Sequence, residues 1–287
     1  YRISKGWSMK QPKTLGELAD YTYKHCWAGT RSEDKTWINA SKILDSLGVS
    51  RDVRKINKMD IDKMVHDFKS IGNAPSTINR KLAVLSKILT VGVELGVLDS
   101  KPPIKKLKES QGKIRWFTED EQRSMIKTLV DLEYPDYANV VRVLLDTGMR
   151  CGELFSLEWD DIHDNLIVLN KTKNFSPRTI PMTPTVQDIL ECYEEWVRPF
   201  EWASYDHFRK AWLVMKDSLG WSEDKQATPH ACRHTFITNL VQEGIDSLTV
   251  QRLAGHKSLA MTNRYTHLAT KDLESVIHKL TIRREAT

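Results

Sequence analysis

Thr228-Pro-His-Ala-Cys-Arg-His-Thr-Phe-Ile237 gathers two histidines and an arginine at what reads as the start of a helix. Thr228 is a good N-cap and Pro229 suits the first helical position. His230 then falls in the first turn, with Arg233 three residues on along the same face. The free N–H groups and positive dipole end of such a terminus favour a phosphate. Alone, the segment reads equally as a capped amphipathic helix whose His and Arg face solvent. His230 and His234 stand four apart, as helical zinc ligands do. The zinc signature needs Glu after its first His, however, and here that position is Ala231, so no metal is expected.

Upstream, Thr147-Gly-Met-Arg-Cys-Gly-Glu-Leu154 sets Arg150 just after a turn at Gly148, with Glu153 one helical turn later. A planar guanidinium fork suits two phosphate oxygens, and a carboxylate three residues away can hold that fork. As a plain surface pair, Arg150 and Glu153 would contribute under about 1 kcal/mol. Downstream come Leu253-Ala-Gly-His256 and Asn263-Arg-Tyr-Thr-His267. Gly255 reads as a helix stop, which leaves His256 on an exposed turn. Tyr265 follows in a short polar helix and, by itself, reads as a packing residue.

The rest of the chain frames these segments. Its 287 residues make about two domains, and a composition 40% hydrophobic and 28% charged is that of a globular chain, excluding disorder and collagen-like order. No apolar run approaches a membrane span, and residues 1–10 lack the apolar stretch of a signal peptide. The chain begins at Tyr1 rather than Met, which leaves room for an upstream segment. Cys26, Cys151, Cys192 and Cys232 are scattered without a CxxC pair, against a disulfide framework and in favour of a reducing compartment. The net charge of +5 suits a polyanionic partner, though many enzymes are as basic.

Residues 1–100 read as a helical bundle, with 1–10 as an upstream linker. Its long helix from Pro75 carries Ile78, Leu82, Leu85, Ile88 and Leu89 on one side, and Asn79, Arg80, Lys81 and Lys87 on a basic, polar side. Residues 101–115, with Pro102-Pro103 and then Lys105, Lys106, Lys108 and Lys113, read as a basic interdomain linker. Residues 116–287 form the second domain. It is helical except for strands at Leu166–Leu169 and Thr179–Pro181, and has helices over Val186–Val197, Pro229–Gln242 and a last one over Lys271–Leu280. The fold class expected is therefore mainly α with a small β-sheet (α+β).

In order, the chain carries Arg, a hairpin Lys, His-x-x-Arg, Gly-His and a C-terminal Tyr. This set resembles the tyrosine recombinase (phage integrase) family over about Phe117 to Leu268. The helical N-terminal half resembles that family's core-binding domain in pattern only. The resemblance implies that Tyr265 attacks a DNA phosphorus to form a 3′-phosphotyrosyl link. Arg150 and Arg233 would grip the non-bridging oxygens, with Glu153 in support, while His230 and His256 assist with protons and hydrogen bonds. A hairpin lysine would protonate the leaving 5′-oxygen; Asn170-Lys-Thr-Lys-Asn-Phe-Ser-Pro-Arg-Thr-Ile-Pro181 points to Lys171, with Lys173 as the alternative. The chemistry explains these residue types. A tyrosine of pKa near 10 is about a thousandth ionised at pH 7, a deficit of roughly 4 kcal/mol. Fixed cations and an imidazole reduce it and stabilise the five-coordinate phosphorus. No metal or cofactor is implied, and the covalent link conserves the ester so that rejoining needs no ATP.

The implied partner is double-stranded DNA at attachment or recombination sites, clamped between the two domains in the cytoplasm of a bacterial host. Asn79, Arg80, Lys81, Lys87, Lys105, Lys106, Lys108 and Lys173 are the expected DNA contacts, largely to phosphates and therefore salt-sensitive. Strand exchange would need a homotetramer on DNA, with an accessory DNA-bending protein and a phage or mobile-element substrate in keeping with the family. The helix over Lys271–Leu280 would dock in cis or on a neighbour. Type IB topoisomerase-like relaxation and a non-catalytic DNA-binding module are the rival readings.

Overall fold

The computed structural model describes residues 11–109, 112, 114–170 and 177–268. The chain divides into two compact units, Tyr1–Gly112 and Lys113–Thr287. Among the described residues no helix is long and apolar enough to cross a membrane.

The first unit is helical: α1 (Leu15–Thr22), α2 (Glu33–Leu47), α3 (Lys58–Ser70) and α4 (Pro75–Glu94). Thr14 and Glu17 form the capping box of α1, and Asn57 with Asp60 forms that of α3. Pro75 opens α4, whose Ile78, Leu82, Leu85, Ile88 and Leu89 meet Leu15, Leu18, Ile43 and Met64 in one core. A π-helical turn over Tyr23–Trp27 extends α1, which nothing in the hydrophobic period signals.

The polar side expected on α4 is only partly there. Arg80 is exposed and Lys87 half-exposed, but Asn79 and Lys81 are buried. Asn79 donates from Nδ2 to the Leu107 carbonyl at 2.9 Å and to Glu109 Oε1 at 2.6 Å, and its Oδ1 accepts from the Leu107 N–H at 2.8 Å. Lys81 lies over the Phe68 ring, and burial lowers its pKa. Both are thus buried, where the sequence led to the expectation of surface residues in contact with DNA. The same bonds explain residues 101–109, which do not run free. Ile104 and Leu107 pack on the helical core and leave Lys105, Lys106 and Lys108 exposed.

In the second unit, α5 (Glu119–Asp131), α6 (Pro135–Thr147), the short α7 (Cys151–Leu154), α8 (Pro184–Glu191) and α9 (Tyr205–Ser218) surround a core that includes Phe117, Leu144, Ile167, Phe208 and Trp212. The sheet has three antiparallel strands rather than two, in the order β1 (Ile162–His163), β2 (Leu166–Leu169), β3 (Arg178–Pro181). Register pairs Ile162 with Ile167 and Leu169 with Arg178, and Asp164 takes positive φ at the β1–β2 turn. α8 stops at Glu191 instead of Val197, because Tyr193 turns inward and donates its hydroxyl to Asp136 Oδ1 at 2.8 Å.

α10 (His230–Gln242), α11 (Ser247–Ala254), α12 (Leu259–Thr262) and a 3₁₀ segment (Asn263–Leu268) complete the described chain. α10 is the central helix: Ala231, Cys232, Arg233, Thr235, Phe236, Ile237, Thr238 and Val241 are buried, so it is not amphipathic. Thr235 Oγ1 accepts from the Phe117 N–H at 2.9 Å, tying α10 to the start of the unit. There Arg115 covers the Phe117 ring and bridges Glu121 and Asp224.

Candidate active site

The site is assembled at the N-terminal end of α10. Its first turn follows Pro229 with no side-chain cap, so the expected Thr228 cap is not formed and the leading N–H groups stay unclaimed by a side chain. His230 is exposed there. Partial desolvation, then the charges of Arg233 and Arg150, draw its pKa below the usual histidine value. Arg233 is only 3% exposed. It donates Nη1 to the Gly148 carbonyl at 2.7 Å and Nη2 to the Ala254 carbonyl, so one guanidinium joins the ends of α6 and α11. Burial, then repulsion from Arg150 and Arg178, lowers its pKa to about 9.

Gly148 makes that approach feasible. It ends α6 in the left-handed region, at φ 60°, and a Cβ there would lie 2.3 Å from Phe236 Cδ1 of α10. Two residues on, Arg150 donates Nη1 to Glu153 Oε1 at 2.6 Å, and Glu153 Oε2 accepts the Arg150 N–H at 2.9 Å. The opposite side of this carboxylate is held by Arg178, which donates Nη2 to Oε2 at 2.7 Å. Burial by itself would raise the Glu153 pKa, but the bonds from Arg178 and Arg150 prevail and bring it to about 2. The Arg–Glu pair is therefore no loose surface contact.

Arg178 is a site member that sequence reasoning passed over. It is 7% exposed, at an inward position of β3, and its Nε has no hydrogen-bond partner among the described residues. Gly255 exists to admit it: a Cβ there would come within 2.7 Å of Arg178 Cδ. The available signal was an arginine in register with inward Ile180 on a half-buried strand.

His256 is buried, not on the exposed turn expected from Gly255; its Nδ1 pairs with Thr262 Oγ1 at 2.9 Å. Burial first, then Arg233 and Arg150, pushes its pKa down to about 4. Tyr265 sits in the 3₁₀ segment at 3% exposure, packed with Phe236, Ile237, Val250 and Ala254. Its ring stacks on that of His256, centroids 6.3 Å apart, and His234 Nδ1 meets its hydroxyl at 2.5 Å. Burial raises the phenol pKa, while Arg233 and Arg264 draw it back.

Arg150, Glu153, Arg233, His256 and Tyr265 thus converge, with His230 at the rim. Lys171 and Lys173, and the helix expected over Lys271–Leu280, lie outside the described residues. Among the described residues no group of three or more His, Cys, Asp or Glu could hold a metal ion. Glu153 pairs with Arg150 and Arg178, and Arg233 lies beside them bonded only to backbone carbonyls, so three guanidinium groups stand against one carboxylate and the site carries an excess of positive charge directed at an anion.

The sequence profile of the phage integrase family matches residues 115–272. The integrase of Escherichia phage P2 is 30% identical over 226 residues, which are 78% of this chain and 64% of the relative; the chain thus spans just under two thirds of that protein. Tyrosine recombinase XerD of Listeria monocytogenes is 27% identical over 246 residues, 78% of this chain and 82% of the relative. The Tn1549 transposon integrase, solved in complex with a circular intermediate DNA, superposes with a TM-score of 0.74 over 94% of this chain and 99% of its own, at 18% identity, a likeness of fold. The chain belongs to the phage integrase family.

Proposed function

We propose that this protein cleaves and rejoins double-stranded DNA at specific sites through a 3′-phosphotyrosyl intermediate on Tyr265. The carrying observation is the meeting of the Tyr265 phenol, His256 and the Arg233 guanidinium within one unit, from segments far apart in sequence. A phosphodiester would satisfy the surplus charge of Arg150, Arg178 and Arg233, and the desolvation of Arg233 would be relieved by its ligand. The Tyr265 oxygen attacks phosphorus as the bond to the 5′-oxygen breaks. Lys171 or Lys173 protonates that leaving oxygen, and His230 at the rim and His256 below contribute hydrogen bonds to the phosphoryl oxygens. The phosphotyrosyl ester retains the bond energy, so a 5′-hydroxyl from another strand reverses the step.

The helical unit then serves as the core-type DNA-binding domain, with Arg80, Lys87, Lys105, Lys106 and Lys108 on phosphates. Strand exchange by a homotetramer, integration or excision of a mobile element, help from a DNA-bending protein and action in a bacterial cytoplasm complete the reading. The test is a nicked suicide duplex carrying the native attachment site. Wild type is expected to form a covalent adduct resistant to denaturant, and Tyr265→Phe none. An intact wild-type protein that binds the site without forming an adduct would leave a DNA-binding module in its place.

A further inference from the structure

The side chain in contact with the Tyr265 hydroxyl is not one that the family pattern singles out. His234 Nδ1 lies 2.5 Å from that oxygen, with the two ring centroids 5.9 Å apart. His256 lies flat against the phenol ring and has its Nδ1 engaged by Thr262. His230 meets His234 edge to face, centroids 4.8 Å apart. A phenol donates only to an unprotonated ring nitrogen, which requires the His234 proton to be on Nε2. The charged and titratable groups facing His234 are His230 and Arg233 on its own helix, His256 beyond α11, and Arg264 beside the nucleophile. All are bases. Together with burial, which acts first, they lower the His234 pKa to about 4 and keep the ring unprotonated at neutral pH.

We infer that His234 is the general base of the cleavage step, taking the proton of Tyr265 as the phenol oxygen bonds to phosphorus. This inference rests on the phosphotyrosyl reading above. The Tyr265 O–H bond breaks and its proton passes to Nδ1, while the oxygen electron pair forms the O–P bond. The electron pair of the breaking P–O bond leaves with the 5′-oxygen, which is protonated separately by the hairpin lysine. The imidazolium so formed is balanced by the phosphoryl charge that has entered among the arginines, and on rejoining it returns its proton to the phenolate oxygen. Because the entering phosphoryl charge favours the imidazolium, proton transfer from the buried phenol to the neutral ring proceeds together with O–P bond formation, and no free phenolate is needed in the resting protein.

Asparagine separates holding the phenol from taking its proton, since its Oδ1 can accept the hydroxyl but has no useful basicity. Single-turnover adduct formation by the full chain is measured from pH 6 to 9 for wild type and His234→Asn. Two suicide duplexes are used: one ordinary, the other with a 5′-bridging sulfur, whose thiolate leaves without an acid. On both, His234→Asn is expected to be slower by about a hundredfold or more at pH 7. Its rate should climb about tenfold per pH unit, as free phenol ionisation does, while wild type stays flat from pH 7 to 9. If the Asn variant melts below the assay temperature, His234→Gln is read in the same way. A variant within threefold of wild type, with an unchanged pH profile, overturns the inference and leaves the phosphotyrosyl reading intact. Rescue by the sulfur substrate alone also overturns it, because His234 would then serve the leaving group. Absence of any wild-type adduct, on a site the protein binds, removes both readings together.

Discussion

At Glu153 one carboxylate meets the guanidinium groups of Arg150, which immediately precedes α7, and Arg178 of β3. With its folded pKa about 2 against an ordinary 4.5, the ionised form is favoured in the native state. The corresponding stability is fully present above pH 4.5 and is lost as pH falls towards 2, amounting to about 3 kcal/mol at 1.36 kcal/mol per unit. Glu153→Gln is accordingly expected to lower the unfolding free energy at pH 7 by about 3 kcal/mol in urea titrations, leaving two like charges facing one another. The difference from wild type should shrink on going from pH 5 to pH 2.5. The Arg150–Glu153 spacing was legible as a pair, but its depth was not. The third partner, Arg178, arrives from across the sheet, and local spacing carries no trace of it.

At the scale of elements, α10 decides what the site can be. Being enclosed on most faces, it holds Arg233 in the interior with His234 half-buried beside it, and brings the end of α6 against Phe236. Gly148→Ala would combine left-handed strain with a methyl 2.3 Å from that ring, and is expected to destabilise by about 3 kcal/mol. Gly220→Ala has comparable φ with nothing within 4 Å, and should lose only about 1 kcal/mol in the same denaturation measurement. The Pro75 start of α4 and the two longer strands were readable because each is a local signal. The early end of α8 and the burial of Asn79 were not. Both follow from where a distant partner lies, Asp136 in one case and Leu107 in the other.

For the whole molecule, DNA binding is the property that the exposed lysines of residues 105–108 should govern. Each phosphate contact contributes a slope of about −0.9 to the dependence of log affinity on log salt concentration. Replacing Lys105, Lys106 and Lys108 together by Gln is expected to reduce the magnitude of that slope by about 2 to 3, with site preference unchanged, as measured by fluorescence anisotropy over 50–200 mM salt. An unchanged slope would take these lysines off the DNA. The sequence by itself determined the helical character of both units, the order of Arg150, His230, Arg233, His256 and Tyr265, and the family to which that order belongs, because periodicity, caps and motif residues are written along the chain. Tertiary structure alone decided which side chain meets the phenol, that Arg178 completes the arginine cluster, and that Asn79 and Lys81 are buried supports rather than surface contacts. Burial and charge at a point are sums over neighbours from every element packed there, and no local window of sequence contains that sum.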